Sequence, residues 1–373
     1  MIPWLWSILQ GPGEEAGLLG RSMGAAATAF AIGLMLAPGL IRLLRRQGIT
    51  DRPKPFGGLN VLTKSGVPTM GGALILASTI ASAALWCQVT SRFVLVAVAA
   101  GVYFAVVGAI DDVRKARSTR SEGGLSRGAK YAAQIAFGAA LAVVMMLPET
   151  APIPLGSIAR TLYLPFIRSG IYLGLGIVPL VIFFIVFASN SVNLTDGMDG
   201  LAIMPVIFVA IVLGLFAYLG GRVDYSEYLR LYSYQFGTTT EYYTLRGSGE
   251  LMVLCAATVG GGAAFLWHNA HPASLFMGDT GSLALGGMLG TIAVLIRQEA
   301  IFVIAGGLFV AELASSFIQD YIGLKLLGRR IFPRAPLHLS LLHRGTGETK
   351  VTTRLWIFAA MCALLALATL KLR

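Results

Sequence analysis

The sequence predicts an all-α integral membrane protein of about ten transmembrane helices. Both termini are expected on the external, periplasmic face and the polar site on the cytoplasmic face. Three observations carry this. Hydrophobic residues make up 56% of the chain and charged residues only 13%, with a mean hydropathy of +0.74. A soluble domain carries about 25% charged residues, so a water-soluble body of this size is excluded, as are disorder, collagen and coiled coil. Ten apolar windows are long enough for a helix of ~20 residues to span a bilayer. The cations are divided unequally between the two sets of loops joining those windows.

In chain order the windows lie near 20–44, 68–86, 93–110, 128–147, 171–189, 200–219, 250–267, 282–296, 300–324 and 352–370. An even number returns both termini to one side. The ninth is long and carries Glu312 and Asp320, so a tilted or broken helix is expected there. The first ten residues, MIPWLWSILQ, have no basic segment and no small-residue cleavage site, so no removable signal peptide is expected. Cys87, Cys255 and Cys362 each sit in an apolar stretch, which argues against a disulfide framework. The loops are short and no internal repeat is visible, so residues 1–373 read as a single polytopic domain.

The formal net charge is +11. In a soluble protein that would point to nucleic acid; in this chain membrane lipid is the expected partner and nucleic acid is not. Of 29 Lys and Arg, 19 fall in the loops after the first, third and ninth windows and before the second, fourth and tenth. The excess of Lys and Arg in cytoplasmic loops places that face in the cytoplasm. A homodimer is left open.

Acids and amides gather at the same ends: LTKSGVPTMGG (62–72), AIDDVRK (109–115), NSVNLTDGMDG (190–200), WHNAHPASLFMGDTGS (267–282) and RAPLHLSLLHRG (334–345). Ionisable residues at the edges of apolar spans are candidates for function. Asp111 and Asp112 are adjacent carboxylates at a helix C-terminus, where the dipole disfavours them. The plain alternative is a hydrophilic helix end. Asn193, Asp196 and Asp199 recur every third residue, so on one helix they cover an arc of ~120° and converge on one ligand. Their hard oxygens suit Mg²⁺, which is usually held together with substrate phosphates. The alternative is an Asp-Gly turn. Asp279, between Gly278 and Gly281, reads as an acid beside a phosphate-binding backbone or as the cap of the next helix. The four histidines, His268, His271, His338 and His343, have no cysteine nearby, which makes zinc the weaker metal choice. Lys64, Lys115 and Lys130 flank the acids; Lys64 and Lys130 read as substrate cations, whereas most of the other basic residues read as topological.

Five segments, PTMGG (68–72), GAIDDVRK (108–115), GLSRGAK (124–130), NLTDGMDGLA (193–202) and FLWHNAHPASLFMGDTGSLALGG (265–287), resemble the polyprenyl-phosphate N-acetylhexosamine-1-phosphate transferases, in the same order. Within that family the resemblance is to the phospho-N-acetylmuramoyl-pentapeptide branch. It implies transfer of phospho-MurNAc-pentapeptide from UDP-MurNAc-pentapeptide to undecaprenyl phosphate, releasing UMP. It also implies Mg²⁺ and a bacterial inner membrane, where the lipid-linked product serves peptidoglycan synthesis. Residue by residue, Asp279 is similar to the family's magnesium ligand, with Asn193 as a second. Asp111, Asp112 and Asp199 match its essential acids. Asn193, Asp196 and Asn269 match site positions, Phe276 a residue placed against uracil, and Lys64 and Lys130 site cations. Gln319 matches a nucleoside-side polar residue.

One segment departs from the pattern. The family's last cytoplasmic loop carries three consecutive histidines after a proline, whereas Pro336 is followed here by Leu337, His338, Leu339 and Ser340, with His343 five residues after the first histidine. HLSLLH is a partial echo of the relatives that transfer GlcNAc-1-phosphate, which makes that donor the alternative. Both direct attack by the lipid phosphate, with Asp111 taking a residual proton, and a covalent phospho-aspartate fit the reaction; direct attack is preferred because no second-step machinery is visible. An ion-coupled transporter is the more remote reading, and Glu312 is the one residue that favours it.

Overall fold

The computed structural model describes Pro3 and residues 17–50, 66–118, 123–147, 149–152, 158–167, 169–236 and 239–371. Lys64, the loop cations Arg52, Lys54 and Arg120, and all but Pro3 of the first ten residues lie outside them. Each of the ten apolar windows holds a helix, although the second, fifth and sixth begin before theirs. In chain order the helices are α1 (Leu18–Arg46), α2 (Gly72–Trp86), α3 (Arg92–Arg117), α4 (Arg127–Met146), α5 (Ile177–Thr195), α6 (Ile203–Gly221), the short α7 (Val223–Tyr228), α8 (Glu250–Asn269), α9 (Gly278–Leu295), α10 (Glu299–Ala305), α11 (Gly307–Phe317), α12 (Leu337–His343) and α13 (Glu348–Ala368).

Among the described residues eight helices, with α5 counted from Gly174 and α13 to Lys371, are long and apolar enough to cross a membrane. The ninth window is broken: α10 meets α11 and its π-helical continuation to Leu326 at 82°, across Gly306, and as a pair they pass the same test. α2 has 15 residues and is about 22 Å long, short of a ~30 Å hydrocarbon layer. The fifth window opens on extended backbone rather than helix. Two antiparallel ribbons, β1–β2 (Thr161–Leu162 with Ile171–Tyr172) and β3–β4 (Ser233–Phe236 with Thr239–Tyr242), qualify the all-helical expectation. Residues 169–170 join them, since the Gly170 N–H donates to the Ser233 carbonyl at 3.1 Å.

α9 is the axis of the bundle. Every residue from Thr280 to Leu295 is buried, and α3, α5 and α2 pack around it. Its sequence, GSLALGGMLG, permits this by presenting small residues on several sides. A Cβ at Gly287 would lie 2.1 Å from the Phe104 ring of α3, and one at Gly286 would lie 2.6 Å from the Ala188 carbonyl of α5. Helix association in lipid relies on such close backbone approach, because burial from water supplies no drive there.

The two ends of the bundle are closed differently. At one end Arg21 of α1 makes a bidentate pair with Glu250 of α8 (2.8 and 2.7 Å) and also donates to the Trp86 carbonyl. That end also holds the ribbons, with the Tyr232 hydroxyl donating to the carbonyl of Ile296, just past α9. At the other end lie the C-termini of α3, α5 and α8 and the N-termini of α4, α9 and α13, and with them the described residues of all five polar segments.

Candidate active site

The site is built on the N-terminus of α9. Its first backbone donors are taken up by a side chain from α3: Asp112 accepts from Asp279 N (3.0 Å), Thr280 N (2.9 Å) and Thr280 Oγ1 (2.7 Å). A carboxylate there satisfies orphan N–H groups and complements the helix dipole. So Asp112, unfavourable at the end of its own helix, caps another one. Asp279 lies inside the first turn and is freed from capping. Gly278 has φ +71°, and a Cβ on it would meet Asp112 Oδ2 at 2.5 Å.

The approach of α3 and α2 to this turn depends on glycine. A Cβ at Gly108 would lie 2.2 Å from the Asp279 carbonyl, and one at Gly72 2.0 Å from Gly281 Cα. The segment before α2 pairs with the one before α9: Phe276 N donates to the Pro68 carbonyl, and Gly71 N and Gly72 N donate to the carbonyls of Phe276 and Met277. PTMGG and SLFMGD, far apart in sequence, thus form one backbone unit. Phe276 is half-buried within it.

Adjacent residues on a helix differ by ~100° in direction, so Asp111 faces elsewhere. Its Oδ1 accepts from Leu125 N at 2.6 Å, and its Oδ2 pairs with Lys115 (2.6 Å) and Lys130 (2.8 Å). GLSRGAK explains the approach: a Cβ on Gly124 would meet Asp111 Oδ1 at 2.5 Å, Ser126 caps α4 by accepting from Ala129 N, and Lys130 follows in the first turn. Both ammonium groups also reach Asp279 Oδ2, at 3.1 Å from Lys115 and 2.5 Å from Lys130. Asn193 Nδ2 donates to Asp279 Oδ1 (3.0 Å) and Ser282 Oγ (2.8 Å). Two carboxylates thus face two ammonium groups, with Asp112 beside them. Lys115 is 47% exposed and Asp111 fully buried, so the cluster opens on the lysine and Asp279 side. Oxygens of Asp111, Asp112 and Asp279 lie within 4.8 Å of one another. That hard, anionic donor set fits Mg²⁺.

The expected convergence of Asn193, Asp196 and Asp199 on one ligand does not occur. α5 ends at Thr195, with Asp196 at its C-cap, so the helical phase stops before the third residue. Asp199 belongs to a second group. Its Oδ2 accepts from Ala273 N (3.2 Å) and lies 2.9 Å from His271 Nδ1, which is 3.9 Å from Glu348 at the start of α13.

The other candidates hold backbone. Asn269 Oδ1 accepts from Gly200 N while its Nδ2 donates to the Leu275 carbonyl. Gln319 Oε1 accepts from Ile331 N and Phe332 N. His338 is buried and bonded to Glu312 (3.1 Å), whereas His343, on the same helix, is exposed. Sequence reasoning missed the part played by Lys115, although it stands four residues after Asp111, a helical ion-pair spacing. Nothing in the sequence pattern singles out His271 from the other histidines or points to Glu348.

Residues 94–297 match the family model described as glycosyl transferase family 4, over more than half of the chain. The chain belongs to that family. It is therefore a membrane-associated transferase of the polyprenyl-phosphate hexosamine-1-phosphate class. The matched stretch runs from α3 to just past α9, so it contains both lysines and all three clustered carboxylates of the transferase. It ends before Glu312, Gln319 and the His338 loop.

Proposed function

We propose that the chain transfers phospho-N-acetylmuramoyl-pentapeptide from UDP-MurNAc-pentapeptide to undecaprenyl phosphate, releasing UMP, on the cytoplasmic face of a bacterial inner membrane. Both termini then lie outside, by the bias of Lys and Arg. The observation that carries this reading is the meeting of three carboxylates and two lysines at a helix N-terminus, at one end of an apolar bundle. A lipid-borne phosphate and a soluble nucleotide both reach such a place.

In the reaction an oxygen of the lipid phosphate attacks the phosphorus bearing the sugar. A new P–O bond forms, the bond from that phosphorus to the bridging oxygen breaks, and its electron pair leaves with UMP. Asp279, with Asp111 and Asp112 beside it and Asn193 fixing its second oxygen, would hold Mg²⁺. When bound, the ion offsets phosphate charge and improves UMP as a leaving group. Lys115 and Lys130 bind the phosphates, and Asp111 accepts the residual proton of the acceptor. Asp112 has both oxygens committed to the α9 backbone, which disfavours it as a nucleophile and supports direct attack. Asp196, Asp199, Asn269, Phe276 and Lys64 are proposed to shape the nucleotide side.

A GlcNAc-1-phosphate donor is the second reading, favoured by the spaced histidines of HLSLLH (338–343). The two separate in one assay. Purified protein is offered undecaprenyl phosphate, Mg²⁺ and either UDP-MurNAc-pentapeptide or UDP-GlcNAc. Labelled product in the lipid phase from the first donor supports the proposal; product from UDP-GlcNAc alone replaces it. Transport loses its support, because Glu312 is spent on His338.

A further inference from the structure

Glu312 is a fully buried carboxylate within an apolar span, and charge is retained in such a place only against a partner. Its partner is a loop residue. The His338 N–H donates to both Glu312 oxygens (3.2 and 3.3 Å), and His338 Nδ1 lies 3.1 Å from Oε2. A proton on Nδ1, donated to the carboxylate, directs Nε2 of the ring the other way. There it abuts Gly197: a Cβ at that position would sit 2.3 Å from Nε2 and 2.8 Å from Cε1. His338 is itself only 2% exposed. The imidazole is wedged between α11 and the turn that follows α5.

That turn is fastened on its other sides as well. Gly200 N donates to Asn269, Trp356 Nε1 donates to the Gly200 carbonyl, and Asp199 N donates to Glu348. Beneath it a small apolar core joins Met198 and Leu201 to Leu308, Val351 and Leu355, with Leu341 and Leu342 of α12 against it. Two further contacts tie the loop inward: Ser340 Oγ donates to the Arg334 carbonyl, and Gln319 accepts from the N–H groups of Ile331 and Phe332.

We infer that Glu312 and His338 form a brace that sets the Asp196–Gly200 turn, so that the histidine serves the nucleotide sugar by positioning that turn rather than by touching substrate. In its reference to the nucleotide sugar the inference rests on the proposed function; the brace itself does not. It accounts for Leu339 and Ser340: a loop that acts through one wedged ring and an apolar underside does not need a row of imidazoles.

The test uses Glu312→Gln, His338→Ala, Gly197→Ala and the Gly197→Ala/His338→Ala double variant. Amide hydrogen exchange over residues 196–200, without substrate, should quicken about tenfold or more in Glu312→Gln and His338→Ala. Gly197 does not have a positive φ, so its alanine variant is opposed only by the ring. Gly197→Ala should raise KM for the UDP-sugar about tenfold, with kcat within about twofold. In the His338→Ala background the added methyl should cost nothing further. Multiplying KM effects in the double variant, or unchanged exchange with a raised KM in His338→Ala, would overturn the brace in favour of direct contact. If no UDP-sugar is turned over, the functional reading fails, while exchange at 196–200 in Glu312→Gln still decides the brace.

Discussion

Two neighbouring aspartates divide the work at the N-terminus of α9. Asp112 spends both oxygens on α9, while Asp279, relieved of capping, faces Asn193 and the lysines. The two acids should therefore fail differently. Asp112→Ala should lower stability by about 1–3 kcal/mol, because it removes the cap and leaves α9 donors buried. A thermal midpoint in detergent measures this. Asp279→Asn should leave that midpoint near wild type and abolish transfer, with any residual activity requiring more Mg²⁺. The doubling at 111–112 was legible as an anomaly, since its helix dipole opposes it. Its resolution was not: Asp112's partner lies 167 positions away, and local spacing carries no information about that. Asp199 shows the converse, where a period of three suggested shared aim and the end of α5 at Thr195 removed it.

At the level of helices, the crossing of α3 over α9 is the element on which the site depends. A Cβ at Gly108 would meet the Asp279 backbone at 2.2 Å, whereas one at Gly101, two turns away on α3, would meet the flexible Met288 Sδ at 3.2 Å. Gly108→Ala should therefore displace the first turn of α9, costing about 1–3 kcal/mol and most activity. Gly101→Ala should be tolerated. The yield of folded protein and the activity of the two variants, side by side, check the contrast. Helices were the most legible part of the fold, because a stretch of apolar residues this long has few other solutions in lipid. The break at Gly306 was foreshadowed by a window too long and too acidic for one straight span. The ribbons were not foreseen, since paired segments of two to four residues leave no periodic trace in the sequence. Neither was the early start of extended backbone before α5.

For the whole molecule, transfer from a soluble nucleotide sugar requires that all the clustered chemistry face the cytoplasm. Lys350→Cys, exposed near the start of α13, should resist an impermeant external thiol reagent in intact cells, and Tyr228→Cys, which is 75% exposed at the ribbon end, should react. The reverse pattern would invert the topology. Native Cys87 and Cys255 are buried, and the half-buried Cys362 is replaced by serine in both variants so that background labelling is low. The grouping of acids at one end was legible from the sequence because alternate loops must share a side. The division of that end into the carboxylate–lysine cluster, the Asp199–His271–Glu348 group and the Glu312–His338 pair was not, because it depends on which helices touch. The central claim is that the cluster transfers a phospho-sugar, not a bare sugar, to a lipid phosphate. The most direct measurement is the nucleotide that purified protein releases from UDP-MurNAc-pentapeptide. The account predicts UMP, equimolar with lipid-linked product, only when undecaprenyl phosphate and Mg²⁺ are both present, and none from Asp279→Asn. Release of UDP, or of UMP without the lipid acceptor, would contradict it.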